Sequence, residues 1–115
     1  MRRGEIRLVN FDPIRGSEAA KRRPAVVVSN DGANTAAVSS GRGVVTVVPL
    51  TSNVATVHDF QVLILASESM LNVDSKAQAE QVRAVDVQRL GVAVGTLGPA
   101  TMQQLDTALR IHLNL

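Results

Sequence analysis

Gly16-Ser17-Glu18-Ala19-Ala20-Lys21-Arg22-Arg23-Pro24-Ala25-Val26-Val27-Val28-Ser29-Asn30 is a small, polar, cationic loop that runs directly into a short, almost purely β-branched segment. Pro24 fixes its own φ, lacks an N–H, and pushes Arg23 towards an extended conformation. The run from Ala25 to Val28 is too apolar and too short for anything but a buried strand. Arg23 is therefore anchored one residue from a rigid element, while Lys21 and Arg22 stand on the loop side. A cation held in that way is preorganised, as recognition or stabilisation of a phosphate requires. Taken alone, three adjacent basic residues are more often a solvated loop than a site.

The strand fits the rest of the composition. At 115 residues the chain reads as one domain, 1–115, able to bury roughly two thirds of the surface its unfolded form exposes. Hydrophobic residues make up 45% and charged residues 19%, the balance of a globular rather than a disordered chain. The apolar content is mostly Val, Leu and Ala, with Phe11 and Phe60 the only aromatics, which favours β structure and a fine-grained core that dimerisation would extend. The formal net charge is +2, and eight of the twelve cations (Arg2, Arg3, Arg7, Arg15, Lys21, Arg22, Arg23 and Arg42) fall in the first 42 residues. The N-terminal part is the positive one, as a phosphate-binding face should be. With no cysteine, disulfides and thiolate metal sites are excluded. No apolar run approaches the ~20 residues of a membrane span, and Glu5, Arg7 and Asn10 interrupt any signal core, so the expected location is cytoplasmic, away from membranes.

In chain order, Glu5 to Phe11 alternates as a first strand, with Ile6 and Leu8 on one face and Val9 and Phe11 on the other. Pro24 to Ser29 is the second, followed by a turn signal at Asn30-Asp31-Gly32. Ala33 to Arg42 reads as an irregular loop or short helical turn. Val44 to Leu50 is the third strand, and Pro49 near its end implies an edge, a bulge or a terminus. Thr51-Ser52-Asn53 then places three hydrogen-bonding side chains where that strand leaves the sheet. Gln61 to Leu65 is a fourth strand, Ser69 to Asp74 connecting chain, Glu80 to Val85 a fifth strand, Asp86 to Leu90 a short helical turn, and Val92 to Leu97 a last strand. Gly98-Pro99 opens a helix in which Met102, Leu105, Leu109 and Leu113 recur on one face, with Ala108 beside them. The expected fold is mainly β with α: a small SH3-like barrel or strongly bent sheet of five to six mostly antiparallel strands, capped by the C-terminal helix.

Few other constellations carry chemistry. His58 and His112 are not placed together by the sequence, and His112 is expected on the solvent side of the last helical turn. No metal motif or phosphate-binding glycine loop is present, and no metal or cofactor is expected. Thr51 by itself reads equally well as a strand-end residue bonding its own backbone.

Gly4-Glu5-Ile6, Asn10-Phe11-Asp12-Pro13, Gly16-Ser17-Glu18 and Arg22-Arg23-Pro24, then Val48-Pro49-Leu50-Thr51-Ser52, then Gln81-Val82-Arg83-Ala84-Val85-Asp86 and Gln88-Arg89-Leu90-Gly91, together resemble the MazF/PemK family of toxin endoribonucleases. The resemblance covers essentially the whole chain. It implies a homodimeric toxin of a type II toxin–antitoxin system, an mRNA interferase that cleaves single-stranded RNA without metal and arrests translation and growth. It also implies inhibition by a cognate MazE-like antitoxin. Carried over residue by residue, Arg23 and Thr51 match the family's catalytic Arg and Thr, and Glu18 the acidic residue of the adjacent loop. Ser17, Lys21, Arg22, Ser52, Asn53 and Gln81 are the implied RNA contacts. The aromatic poverty and Arg7, where the family often has an aromatic or apolar residue, depart from the pattern. Cleavage by a ribose 2′-OH needs a proton acceptor, charge stabilisation and a proton for the leaving oxygen. Arg23 suits the second role, whereas an arginine stays protonated and Glu18 is the better acceptor, so the proton roles stay open. The alternative is a CcdB-like gyrase poison on the same fold, which would need neither Arg23 nor Thr51.

Overall fold

The computed structural model describes residues 1–11 and 22–115. Among them the elements run β1 (Glu5–Asn10), β2 (Arg22–Val27), α1 (Asp31–Ser40), β3 (Val44–Thr51), β4 (Gln61–Ile64), α2 (Ala66–Ser69), β5 (Ser75–Gln78), β6 (Arg83–Asp86), β7 (Leu90–Thr96) and α3 (Pro99–Leu113). The strands pair antiparallel in the order β4-β5-β3-β2-β1-β7, and β6 lies beside β3. The fold class is as expected, with two corrections. The sheet has seven strands rather than five or six, and no pairing between β4 and β7 closes it into a barrel among the described residues. β4 is only four residues long, and α3 lies against it.

The extra strand is β5, which precedes the strand expected from Glu80 to Val85 and was not expected; the first residues of that expected strand turn instead. Ala79–Gln81 is a single 3₁₀ turn. Upstream of it β5 pairs with Leu50 and Thr51; downstream β6 pairs with Val44 to Val47. Pro49, which cannot donate a ladder hydrogen bond, falls between these two partners on β3. Val87–Arg89 forms the short helical turn expected there.

Alternation along the two central strands builds both halves of the core. Val26, Val48 and Leu50 face one way and join Ile6, Val62, Ile64, Leu105 and Ala108 beneath α3. Ala25, Val27, Val45 and Val47 face the other way and join Val9, Val85 and Ala37 of α1. With side chains buried on both faces, β2 and β3 read as continuous apolar runs. On α3, Leu105 and Ala108 are buried and Met102 and Leu109 pack partly against the core, while Leu113 is 49% exposed and lies beyond it.

The segment Ala33 to Arg42 is not an irregular loop: most of it belongs to the ten-residue helix α1. Asn30, expected in a turn, is its N-cap and accepts the Ala33 N–H at 2.8 Å. Gly41, at φ 67°, ends it in the left-handed conformation that glycine adopts without a Cβ clash. Its buried face carries Asn34, which is fully buried. Asn34 Nδ2 donates to the Ser29 carbonyl at 2.8 Å, and its Oδ1 accepts the Ser29 hydroxyl. Ser29 Oγ in turn accepts the Thr46 N–H at 3.1 Å. A helix docked through an asparagine carries no apolar stripe to announce it.

Candidate active site

The register of β2 on β3 pairs Ala25 with Pro49, Val26 with Val48 and Val27 with Val47. Continued two residues, it carries Arg23 to the position facing Thr51, with both side chains on one face. They line a cleft of about 330 Å³ together with Pro24, Leu50, Ser52, Val73 and Ser75. Arg23 is exposed at its mouth and Thr51 half-buried, whereas Leu50 behind them is 2% exposed and belongs to the core. An exposed cation is thus backed by rigid sheet.

Thr51 is oriented by its own loop. The Asn53 N–H donates to Thr51 Oγ1 at 3.2 Å, and Asn53 Oδ1 accepts the Ala55 N–H at 3.3 Å. With Oγ1 occupied as acceptor, the hydroxyl proton is left to donate outward. The hydrogen bonding of Asn53 shapes the turn, and its side chain does not line the cleft. A guanidinium and a hydroxyl donor converging on a concave surface suit an anionic oxygen, and among the described residues no aspartate or glutamate lines the cleft.

The other expected residues divide. Ser52 lines the cleft. Arg22 is adjacent to Arg23 on the same strand and so points to the opposite face; its Nη1 would lie 3.9 Å from a Cβ built on Gly91 of β7. Gln81 is exposed at the end of the 3₁₀ turn and is not among the lining residues. Ser17, Glu18 and Lys21 lie outside the described residues. His112 is exposed near the end of α3, as expected, and His58 is exposed and stacked on Phe60 with ring centroids 5.1 Å apart. Among the described residues no group of three or more His, Asp or Glu side chains could hold a metal.

Among the described residues, the cations clustered in the first 42 positions do not all serve one phosphate face. Arg3 is structural: its backbone N–H donates to Asp31, Nε to the Val28 carbonyl at 2.7 Å, and Nη2 pairs with Asp106 at 2.6 Å, tying α1, β2 and α3 together. Arg7 pairs with Glu5 at 2.8 Å and donates to the Gly91 carbonyl. Burial alone raises the Glu5 pKa, but the Arg2 N–H and the Arg7 guanidinium outweigh it and hold the carboxyl below its ordinary range. Arg83 lies over the Phe11 ring, 5.2 Å from its centroid, so it too is engaged within the fold.

Val73 and Ser75, which wall the cleft from the β5 side, are not legible from motifs. Ser75 begins a strand whose place beside β3 depends on a pairing across a long sequence separation.

A family model described as PemK-like, MazF-like toxin of type II toxin–antitoxin system matches residues 2–113. The chain is 57% identical over 115 residues to Endoribonuclease MazF9 of Mycobacterium tuberculosis, covering 100% of this chain and 98% of that one. Among solved structures, MazF from Deinococcus radiodurans superposes with a TM-score of 0.76 at 25% identity, covering 100% and 97% of the two chains. An endoribonuclease in complex with its cognate antitoxin, from a mycobacterial species, matches in fold with a TM-score of 0.76 at 24% identity, covering 100% and 96%. No helix among the described residues is long and apolar enough to cross a membrane.

Proposed function

The chain belongs to the PemK-like, MazF-like toxins of type II toxin–antitoxin systems, and from that premise we propose that it is a cytoplasmic endoribonuclease, active as a homodimer, that cuts single-stranded RNA and is held in check by a cognate MazE-like antitoxin. The observation that carries this reading is the convergence of Arg23 and Thr51 on one cleft from two paired strands.

In the proposed reaction the ribose 2′-OH attacks the adjacent phosphorus, the P–O5′ bond breaks, and the products carry a 2′,3′-cyclic phosphate and a 5′-OH. Negative charge grows on the non-bridging oxygens as the phosphorane forms. Arg23 meets that charge with a planar set of N–H donors, and the Thr51 hydroxyl donates to one of the same oxygens. Neither residue is suited to take the 2′-OH proton: the guanidinium stays protonated and the threonine hydroxyl is a weak base. A carboxylate such as Glu18 has the chemistry for that step. Arg23 supplies from the protein the positive charge that a metal ion would otherwise bring to the phosphorane, and this is the ground for proposing cleavage without metal. RNA cleavage of this kind inactivates messages and stops growth. A gyrase poison gains nothing from the Arg23–Thr51 pair.

The test is incubation of the purified protein with a long single-stranded RNA in EDTA, with the ends of the products mapped. Cleavage that persists in EDTA and stops when the scissile nucleotide carries 2′-deoxyribose is the expected result. Activity abolished by EDTA and restored by magnesium, or cutting of the deoxy substrate, overturns the mechanism.

A further inference from the structure

Thr51 has a second cross-strand neighbour. On the side away from Arg23 its partner in β5 is Lys76. Lys76 is only 9% exposed, and its Nζ donates to the Thr56 carbonyl at 2.5 Å. Thr56 lies in the middle of segment 52–60, which leaves the sheet after Thr51. The far end of that segment is held by Gln61, whose Oε1 accepts the His58 N–H at 3.1 Å and whose own N–H donates to the His58 carbonyl at 2.9 Å. Gln61 Nε2 is fixed in turn by Glu80 Oε2 at 2.7 Å. At the near end the Asn53 N–H is bonded to Thr51 Oγ1. The segment is thus tied at both ends and in the middle, and its first tie is the Thr51 hydroxyl.

An ammonium in so enclosed a place loses hydration that one carbonyl only partly replaces. For stability alone, methionine, of similar length and uncharged, serves as well or better. We infer that Lys76 is a positioning residue for the Thr51 hydroxyl. Its ammonium fixes the middle of segment 52–60, the segment fixes the Asn53 N–H, and that N–H sets the rotation of the hydroxyl so that its proton points into the cleft. The catalytic consequence rests on the RNA-cleaving function proposed above; the tie itself does not.

The experiment compares wild type, Lys76→Met, Thr51→Ala and the double variant. Lys76→Met is expected to keep or raise the melting temperature while kcat falls about 10-fold and KM stays within about 2-fold, the pattern of a misoriented reacting group rather than a damaged fold. In the Thr51→Ala background the same substitution is expected to cost nothing further, because Lys76 acts through the group already removed. Amide exchange, read on the free protein, should accelerate at Asn53, Ala55 and His58 and stay unchanged in β2 and β3. Unchanged kcat, unchanged exchange in segment 52–60, a rise in KM alone, or a loss of kcat that persists in the Thr51→Ala background each overturns the assignment. A wild-type protein that cuts no RNA would sink the proposed function, whereas the exchange measurement would still decide whether Lys76 holds the segment.

Discussion

Two adjacent arginines in β2 are separated by strand parity into different roles. Arg23 faces the cleft and is backed by Pro24 and the buried run that follows, so in the reaction proposed above it would meet the growing charge from a rigid base. Arg23→Ala is expected to lower kcat by at least ~10²-fold, the scale for loss of one preorganised stabiliser. Thr51→Ala is expected to lower it less, because the Ser52 hydroxyl lines the same cleft and can supply part of the hydrogen bond. Arg22 lies on the opposite face, and Arg22→Ala should leave kcat within about 2-fold while the slope of log affinity against log salt flattens by about 0.7 for a lost single-strand phosphate contact. Measurement of kcat and salt-dependent RNA binding on the three variants separates them, and a chemical defect in Arg22→Ala with none in Arg23→Ala reverses the assignment. Glu5 supplies a pH dependence that is independent of catalysis. Its folded pKa lies below its ordinary 4.5, so its clamp on Arg2 and Arg7 contributes stability above that value and loses it as pH falls through the folded pKa. The urea midpoint of wild type is expected to drop more steeply below about pH 4.5 than that of Glu5→Gln. Parallel curves would contradict this.

How much of each element was legible depends on what it buries. β2 and β3 are apolar on both faces, so their runs of valine identify them directly. α3 shows its stripe of Met102, Leu105 and Leu109, and Gly98-Pro99 marks its start. α1 docks through Asn34 and Ala37, a pair that no hydrophobic period reveals. β5 was hidden because Ser75-Lys76-Ala77-Gln78 carries no β-branched run and its strand character comes from pairing with β3 and β4, a long-range fact. The site divides in the same way. Arg23 and Thr51 sit in ordered motifs, while Val73, Ser75 and Lys76 reach the cleft or its threonine only through the β3–β5 register. Packing between elements gives a sharper test at β7. A Cβ built on Gly95 would stand 2.2 Å from the Ser69 carbonyl oxygen at the end of α2, and that oxygen is backbone that cannot swing aside. Gly95→Ala must push β7 and α2 apart, with an expected loss of about 2–3 kcal/mol in urea unfolding, the upper range for overpacking. A variant within ~0.5 kcal/mol of wild type, as for an ordinary surface change, would show that the two elements are not in register as described.

The molecule as a whole is built from small side chains, and this bears on its state of assembly. Its core is mostly valine and alanine, with Ile6, Leu50, Ile64 and Leu105 as its largest fully buried side chains. Such a core stabilises modestly, since each buried aliphatic residue contributes about 1.5–3 kcal/mol before the entropy of ordering is subtracted. Apolar surface is left over: Ile111 is 46%, Leu113 49% and Leu115 84% exposed within the last five residues, and Val92 on β7 is 66% exposed. Scattered exposed aliphatics are ordinary, but three within the last five residues concentrate at one end of the molecule the apolar surface that an interface would cover. A standard interface takes roughly 800 Å² from each partner, a small fraction of the 6710 Å² this chain exposes. The homodimer proposed above is therefore expected to include the end of α3. Sedimentation equilibrium at micromolar concentration should give twice the 12.2 kDa chain mass, and Leu113→Lys should shift the population towards monomer without lowering the helical signal. Only single-chain particles for wild type would contradict the dimer, and an undiminished dimer in Leu113→Lys would move the interface elsewhere. If RNA is held between the two copies, the monomeric variant should lose affinity for long RNA far more than it loses kcat at saturating substrate, because Arg23 and Thr51 of each cleft come from the same chain.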